Sequence, residues 1–266
     1  MTEVYPGYGI CRLSLVPVRQ SPSDKSEQVS QLLFGEHYFV KALDQEGKWM
    51  LIKNYFDHYE GWIDAKQHNA ITKEYFDHIL NADFKITTDV TSSLLYKKSP
   101  IHILIGSIIP VTNTELFKIE EQLAFNGEAK AQGQRRDYEF LKSIALKYLN
   151  SPYQWGGKSP FGIDCSGFVQ MVFKISGFKM HRDAWQQAEN GERVTGFDQA
   201  KPGDLAFFKN ESAKISHVGI VLENQQIIHA SGKVRIDQLT EQGIMHAESK
   251  QITHQLSHLN RLLPEH

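Results

Sequence analysis

The sequence predicts an α+β fold of two or three domains. Short runs of β-prone residues, separated by turn formers, fill the first half. Two segments of helical periodicity open the second half, and a series of short apolar strands follows them. A chain of 266 residues has room for two or three such domains.

The first-half runs are Val16 to Arg19, Val29 to Leu33, His37 to Leu43, Trp49 to Lys53 and Gly61 to Ile63. Ser21-Pro22-Ser23-Asp24, Gly35-Glu36 and Glu46-Gly47-Lys48 punctuate them as turns. Strands this short and this closely spaced predict a small barrel or sandwich. A weak repeat extends the pattern. Gln31-Leu32-Leu33-Phe34-Gly35 followed by Tyr38-Phe39-Val40 is echoed by His102-Ile103-Leu104-Ile105-Gly106 followed by Ile108-Ile109-Pro110-Val111. Two copies of a barrel of roughly 60 residues fit this spacing, a size that folds alone. The expected domains are 1–70, 71–127 and 128–266, with Glu128 to Gly133 as a small polar linker.

From Arg135 the apolar positions Tyr138, Leu141, Ile144, Ala145, Tyr148 and Leu149 recur at helical spacing, and Pro152 ends that helix. Tyr153-Gln154-Trp155-Gly156-Gly157 reads as a glycine-rich loop. A second helix is predicted from Cys165 to Ile175, with Asp164 as N-cap and Gly177 as C-cap. Strands follow at Leu205 to Phe208, His217 to Leu222 and Gln226 to Ala230. Helices followed by a run of strands indicate an α+β domain.

Composition excludes several function classes. With 41% hydrophobic and 23% charged residues the chain is an ordinary globular one. A net charge of −2 speaks against nucleic acid as a partner. Cys11 and Cys165 are too few for a disulfide scaffold. No apolar run approaches the roughly 20 residues of a membrane span. Met1-Thr2-Glu3-Val4-Tyr5 lacks the basic and apolar regions of a signal peptide, so a cytoplasmic monomer is expected; a removed leader would move it to the cell envelope.

The chemistry concentrates on one cysteine and two histidines. Cys165 stands at a helix N-terminus, where the macrodipole favours thiolate and lowers the pKa. Its backbone N–H is one of the unpaired first-turn donors and suits an oxyanion. Cys11 has no helix start after it and reads as structural. His217 and His229 lie 12 residues apart with Glu223-Asn224-Gln225 midway. A hairpin there brings them to neighbouring strands, one imidazole as base and the other as its orienter. The same three residues could ligate zinc, but no second cysteine and no closely spaced ligand pair accompany them, so neither metal nor cofactor is expected. His78, His246, His254, His258 and His266 read as surface groups.

On these residues the segment from Gln134 to His266 resembles the NlpC/P60 family of cysteine peptidases. The matching blocks are Tyr153-Gln154-Trp155-Gly156-Gly157, Asp164-Cys165-Ser166-Gly167-Phe168-Val169, Lys201-Pro202-Gly203-Asp204-Leu205, His217-Val218-Gly219-Ile220 and Ile228-His229-Ala230. The resemblance implies a papain-like catalytic domain and a triad of Cys165, His217 and His229. The N-terminal half is similar to bacterial SH3 modules through Ser26 to Glu36 and Tyr59-Glu60-Gly61-Trp62-Ile63. Together they imply two small SH3-like barrels before an α+β peptidase, as in γ-D-glutamyl-L-diamino-acid endopeptidases. Those enzymes cleave between γ-D-Glu and L-Lys or diaminopimelate in peptidoglycan peptides with a free N-terminal L-Ala. The resemblance further assigns Tyr153 to the oxyanion beside the Cys165 N–H. It assigns Asp183, Tyr59 and Glu27 to the peptide's amine, and Ser166, Trp155 and Asp164 to the substrate cleft. Ala184 stands where that subgroup commonly has serine. Without a leader, such an enzyme turns over imported wall peptides. The same half-sites also suit a wall-peptide binding module, or an amidase or acyltransferase working through a thioester.

Overall fold

The computed structural model describes residues 6–81, 83–96, 98–110 and 124–264. Readings that rest on Met1 to Tyr5, on Val111 or on His266 fall outside these residues. The chain divides into two compact units, Met1–Gln134 and Arg135–His266.

In the first unit, β1 (Gly7–Ile10), β2 (Leu15–Arg19), β3 (Gln28–Leu33), β4 (His37–Leu43), β5 (Trp49–Asn54), β6 (Glu60–Asp64) and β7 (Ala70–Ile71) form an antiparallel sheet in the order β3-β2-β6-β5-β4-β1-β7. Alternate residues of β2 turn Val16 and Val18 inward, where they meet Cys11, Leu32, Tyr38 and Ile63. The helix α1 (Lys73–Asn81) follows; the sequence reading has none there, although Phe76 and Ile79 are buried at helical spacing.

Six further strands, β8 (Phe84–Thr87), β9 (Thr91–Tyr96), β10 (Ser99–Leu104), β11 (Ile108–Pro110), β12 (Ala124–Asn126) and β13 (Ala129–Ala131), form two three-stranded sheets ordered β10-β9-β12 and β11-β8-β13. The weak repeat has a structural counterpart. Gly35 and Gly106 both adopt φ +84°, each between a strand and the one that follows it. Phe34 packs with Leu94, Tyr96, Ile103 and Ile109, and its carbonyl accepts from the Ile108 N–H at 2.8 Å. One expectation is corrected. The polar segment Glu128 to Gly133 is not a linker, because Ala129–Ala131 pairs with β8. Small residues there conceal a strand held by backbone bonds, and the break between units falls after Gln134.

The second unit begins with α2 (Tyr138–Lys147), whose cap Asp137 accepts from the Phe140 N–H. The hairpin β14 (Lys158–Ser159) and β15 (Gly162–Ile163) leads into α3 (Cys165–Ile175), the span read from the sequence. All 11 residues of α3 are buried, including the polar stripe Ser166, Gln170 and Lys174 among its apolar ones. After α4 (Ala184–Gln187) come β16 (Glu192–Arg193), β17 (Leu205–Lys209), β18 (Ile215–Val221), β19 (Gln226–Ser231), β20 (Lys233–Thr240), β21 (Gly243–Met245) and β22 (Ile252–Arg261). Their order is β16-β22-β17-β18-β19-β20-β21, and β21 pairs again with β22. Strands β17 to β22 therefore close into a six-stranded antiparallel barrel around Phe208, Val221, Ile227, Leu239, Ile244 and Leu259. α3 packs against β18 and β19. No helix among the described residues is long and apolar enough to cross a membrane.

Candidate active site

Asp164 sets the start of α3. Its Oδ1 accepts from the Gly167 N–H at 2.6 Å, the N-cap bond, and its Oδ2 accepts from the Gly156 N–H at 2.8 Å. Arg182 closes on both oxygens, Nη1 to Oδ1 at 3.0 Å and Nη2 to Oδ2 at 2.6 Å, and Nη1 also reaches Ser166 Oγ at 2.9 Å. The pair is buried, Arg182 to 2% exposure and Asp164 to 5%. Gly167 allows the Gly157 carbonyl to lie against the first turn, since a Cβ there would collide with it. The glycine loop, the cap and the helix thus fix the position of Cys165.

The barrel presents the histidines. The β18–β19 hairpin turns at Asn224 and Gln225, both with φ +55°. Its register pairs Gly219 with His229, so His217 lies diagonal to His229 rather than opposite it. The rings still meet, His217 Nε2 to His229 Nδ1 at 2.8 Å. His229 Nε2 in turn lies 3.0 Å from Asp237 Oδ2. Alternation puts His217 on the side of Val221, His229 with Ile227, and Asp237 with Leu239, all core residues of the barrel. The barrel interior is apolar along its length and changes at one end into this polar chain.

Asp237 fixes every proton in that chain. A carboxylate only accepts, so His229 Nε2 carries the hydrogen and the neutral ring offers Nδ1 as acceptor. His217 must then donate from Nε2, which leaves the lone pair on its Nδ1 to serve as a base. Burial works against the Asp237 charge, but the His229 hydrogen bond, the Ala247 N–H at 2.7 Å from Oδ1 and Arg235 Nε at 2.7 Å from Oδ2 outweigh it and hold its pKa well below the usual range. Asp237 is a residue the sequence reading missed. So is His254, read as a surface group, whose ring stacks on His217 with centroids 4.1 Å apart and planes 26° apart.

Cys165 is buried against β18, and its sulfur takes the backbone N–H groups of Val218 and Ser166. The structure reverses the expected direction of its pKa. Burial pushes the thiol up to about 12, the Asp164 carboxylate adds to this, and Val218, Arg182 and Ser166 only partly offset it. Burial likewise holds His217 well below its ordinary value, helped by repulsion from His229 and His254, while His254 falls to about 4. Burial thus favours the neutral form of both groups, the thiol at Cys165 and the uncharged imidazole at His217.

The other residues named from the sequence fall into three groups. Tyr153 sits beside the sulfur, bridged to Ile163; burial and the neighbouring Cys165 raise its pKa, so its phenol stays a donor. Trp155 is 60% exposed and is not a core residue. Asp183 starts α4 in a capping box with Gln186. Asp164 and Ser166 are committed to Arg182, the cap and each other, which makes them supports of the helix start. Tyr59 and Glu27 belong to the first unit, Tyr59 half-buried after β5 and Glu27 exposed before β3. Cys11 and Cys165 are both buried and are not joined in a disulfide.

A pH effect follows from the buried histidines. Their folded pKa values lie below the unfolded value of about 6.5, so on acidification the unfolded chain takes up protons first and stability falls. Each such histidine held fully neutral removes about 1.4 kcal/mol per pH unit below 6.5. The low pKa of Asp237 acts only below about pH 4 and does not offset this loss. Thermal unfolding of the second unit at pH 5 is expected several degrees below that at pH 7. An unchanged melting temperature would contradict neutral burial.

The profile of the NlpC/P60 family matches residues 150–252. That of the bacterial dipeptidyl-peptidase Sh3 domain matches residues 18–67. The gamma-D-glutamyl-L-lysine dipeptidyl-peptidase of Bacillus subtilis is 30% identical over 234 residues, 80% of this chain and 76% of that protein. The Bacillus cereus protein of the same name is 28% identical over 230 residues, 76% of this chain and 66% of its own length. A crystal structure of an NlpC/P60 family protein from Bacillus cereus shares the fold, with a TM-score of 0.80 at 21% identity over 97% of this chain and 100% of that one. With these matches, and a relative 30% identical across most of both chains, the chain belongs to the NlpC/P60 family of cysteine peptidases.

Proposed function

We propose that the protein hydrolyses the bond between γ-D-Glu and the L-diamino acid, L-Lys or diaminopimelate, in peptidoglycan peptides with a free N-terminal L-Ala, in the turnover of wall fragments. The observation that carries the chemistry is the chain of hydrogen bonds from Asp237 through His229 to His217. The relatives named for γ-D-glutamyl-L-lysine cleavage support the bond.

In this reading His217 Nδ1 removes the thiol proton as Cys165 Sγ attacks the γ-glutamyl carbonyl. The Cys165 N–H and the Tyr153 hydroxyl donate to the oxyanion. Collapse breaks the C–N bond, and His217 returns the proton to the departing amine. Water, deprotonated by His217, then attacks the thioester and releases the γ-D-Glu carboxylate and the thiol. Asp183 is assigned to the peptide's ammonium, a charge that needs acceptors once it leaves water.

The test is digestion of L-Ala-γ-D-Glu-L-Lys and its diaminopimelate analogue, each free and N-acetylated, followed by mass spectrometry. Cleavage of the free peptides alone is expected, with Cys165→Ala slower by ~10³-fold or more. Equal cleavage of the acetylated peptides would remove the ammonium requirement. A Cys165→Ala protein of full activity would remove the mechanism.

A further inference from the structure

His254 lies on β22, beyond the residues that the NlpC/P60 profile matches. It pairs with Ile244 of β21 and shares the inward face of the barrel with Leu256. β22 is separated from β18 by β17, yet the His254 ring covers a face of His217, with centroids 4.1 Å apart. Phe208 of β17 approaches both rings, at 5.7 Å from His217 and 6.1 Å from His254. His229 meets the edge of both, nearly perpendicular to each. His217 is thus bonded at Nε2, stacked on one face and flanked by an aromatic ring.

We propose that His254 is a positioning residue for the acid–base step, its ring holding the His217 imidazole in the plane where Nε2 meets His229 and Nδ1 serves the Cys165 thiol. A ring free to rotate about its side-chain bond would exchange or misalign the two nitrogens, and small misplacements of a catalytic group cost rate. When His217 takes the thiol proton it becomes a cation against a neutral aromatic face, which is an attractive contact. A charge on His254 would oppose that proton. Burial is the main force against such a charge and pushes the His254 pKa down to about 4. His229 repels a charge on His254, and Asp237 attracts one. Arg235 and His246 act on His229 in the same direction as its burial. His254 therefore stays an uncharged platform across the neutral range.

The test compares the full chain with His254→Phe, His254→Leu and His254→Ala. Two readouts are followed from pH 5 to 9: the rate of Cys165 alkylation by iodoacetamide, and kcat and KM for the tripeptide. Alkylation requires only that His217 accept the thiol proton, so it reports on His254 whether or not the proposed substrate is right. Leucine and alanine are expected to lower the alkylation rate and kcat about tenfold at pH 7 with little change in KM. Phenylalanine is expected to restore most of both. Its acid limb should match that of the wild type, because one ring uncharged across the neutral range replaces another. The leucine variant, which fills the space, separates loss of the ring from loss of folding. Wild-type rates and pH profile in the leucine and alanine variants would overturn the proposal. So would a phenylalanine variant as impaired as they are.

Discussion

Replacing Arg182 with methionine is expected to destabilise the second unit by ~3–5 kcal/mol, the range for removing one partner of a buried ion pair. The loss arises because Asp164 cannot follow its partner into water. The carboxylate is buried and holds the Gly156 and Gly167 N–H groups, so the variant strips it of its ion-pair partner while it stays out of water. Arg182→Lys should rescue little, since an ammonium cannot bridge both oxygens at once. The double variant Asp164→Asn, Arg182→Met should cost less than Arg182→Met alone, because it leaves no uncompensated charge. Urea unfolding measures this as a lower midpoint with an unchanged slope. A loss below about 1 kcal/mol would contradict the ion-pair account. Cys165 should respond as well. Arg182 pulls the thiol pKa down and Asp164 pushes it up, so the single variant leaves a less acidic sulfur.

The largest effect on rate, after loss of the nucleophile itself, is expected at His217. His217→Ala should lower kcat by ~10³–10⁴-fold, the upper part of what a positioned base contributes. Burial pushes the thiol up to about 12, so thiolate is scarce at neutral pH without a base. Asp237→Asn is informative because it changes protons more than shape. An asparagine amide can donate to His229 Nε2, which would move the His229 hydrogen to Nδ1 and force His217 to present its N–H to the sulfur. A loss of about tenfold to a hundredfold is expected, seen equally in hydrolysis and in alkylation of Cys165. A His217→Ala protein that keeps more than a tenth of its activity would end the assignment of that residue as the base.

The sequence reading located these groups unevenly, and particular residues explain why. The span of α3 was legible because its cap and its end are local. Asp164 bonds three residues ahead, and Gly177 adopts φ +90° just past the helix. The histidine pair was legible because a hairpin is local too, and its turn falls within Glu223-Asn224-Gln225, although the register sets the pair diagonally rather than opposite. Asp237 was hidden by its own strand. In Val234-Arg235-Ile236-Asp237-Gln238-Leu239 an alternation rule turns Ile236 inward, whereas the structure buries Asp237 with Leu239. His254 was hidden by a register shift between β22 and β17 near Phe207 and Phe208, and by a strand with few apolar residues. Its partner His217 is 37 positions away, and only closure of the barrel joins them. The direction of the Cys165 pKa was missed because the helix end is visible in the sequence and the depth of burial is not.

That closure has a kinetic side. β22 is the strand that joins the two ends of the sheet, pairing with β21 along one stretch and β17 along another. A ring with one shared closing strand opens when that strand lifts, and the same lift carries His254 off the face of His217. Barrel fraying and loss of the ring that covers His217 are then a single event, with one opening free energy. How firmly β22 is zipped thus bears on His217 from a neighbouring strand.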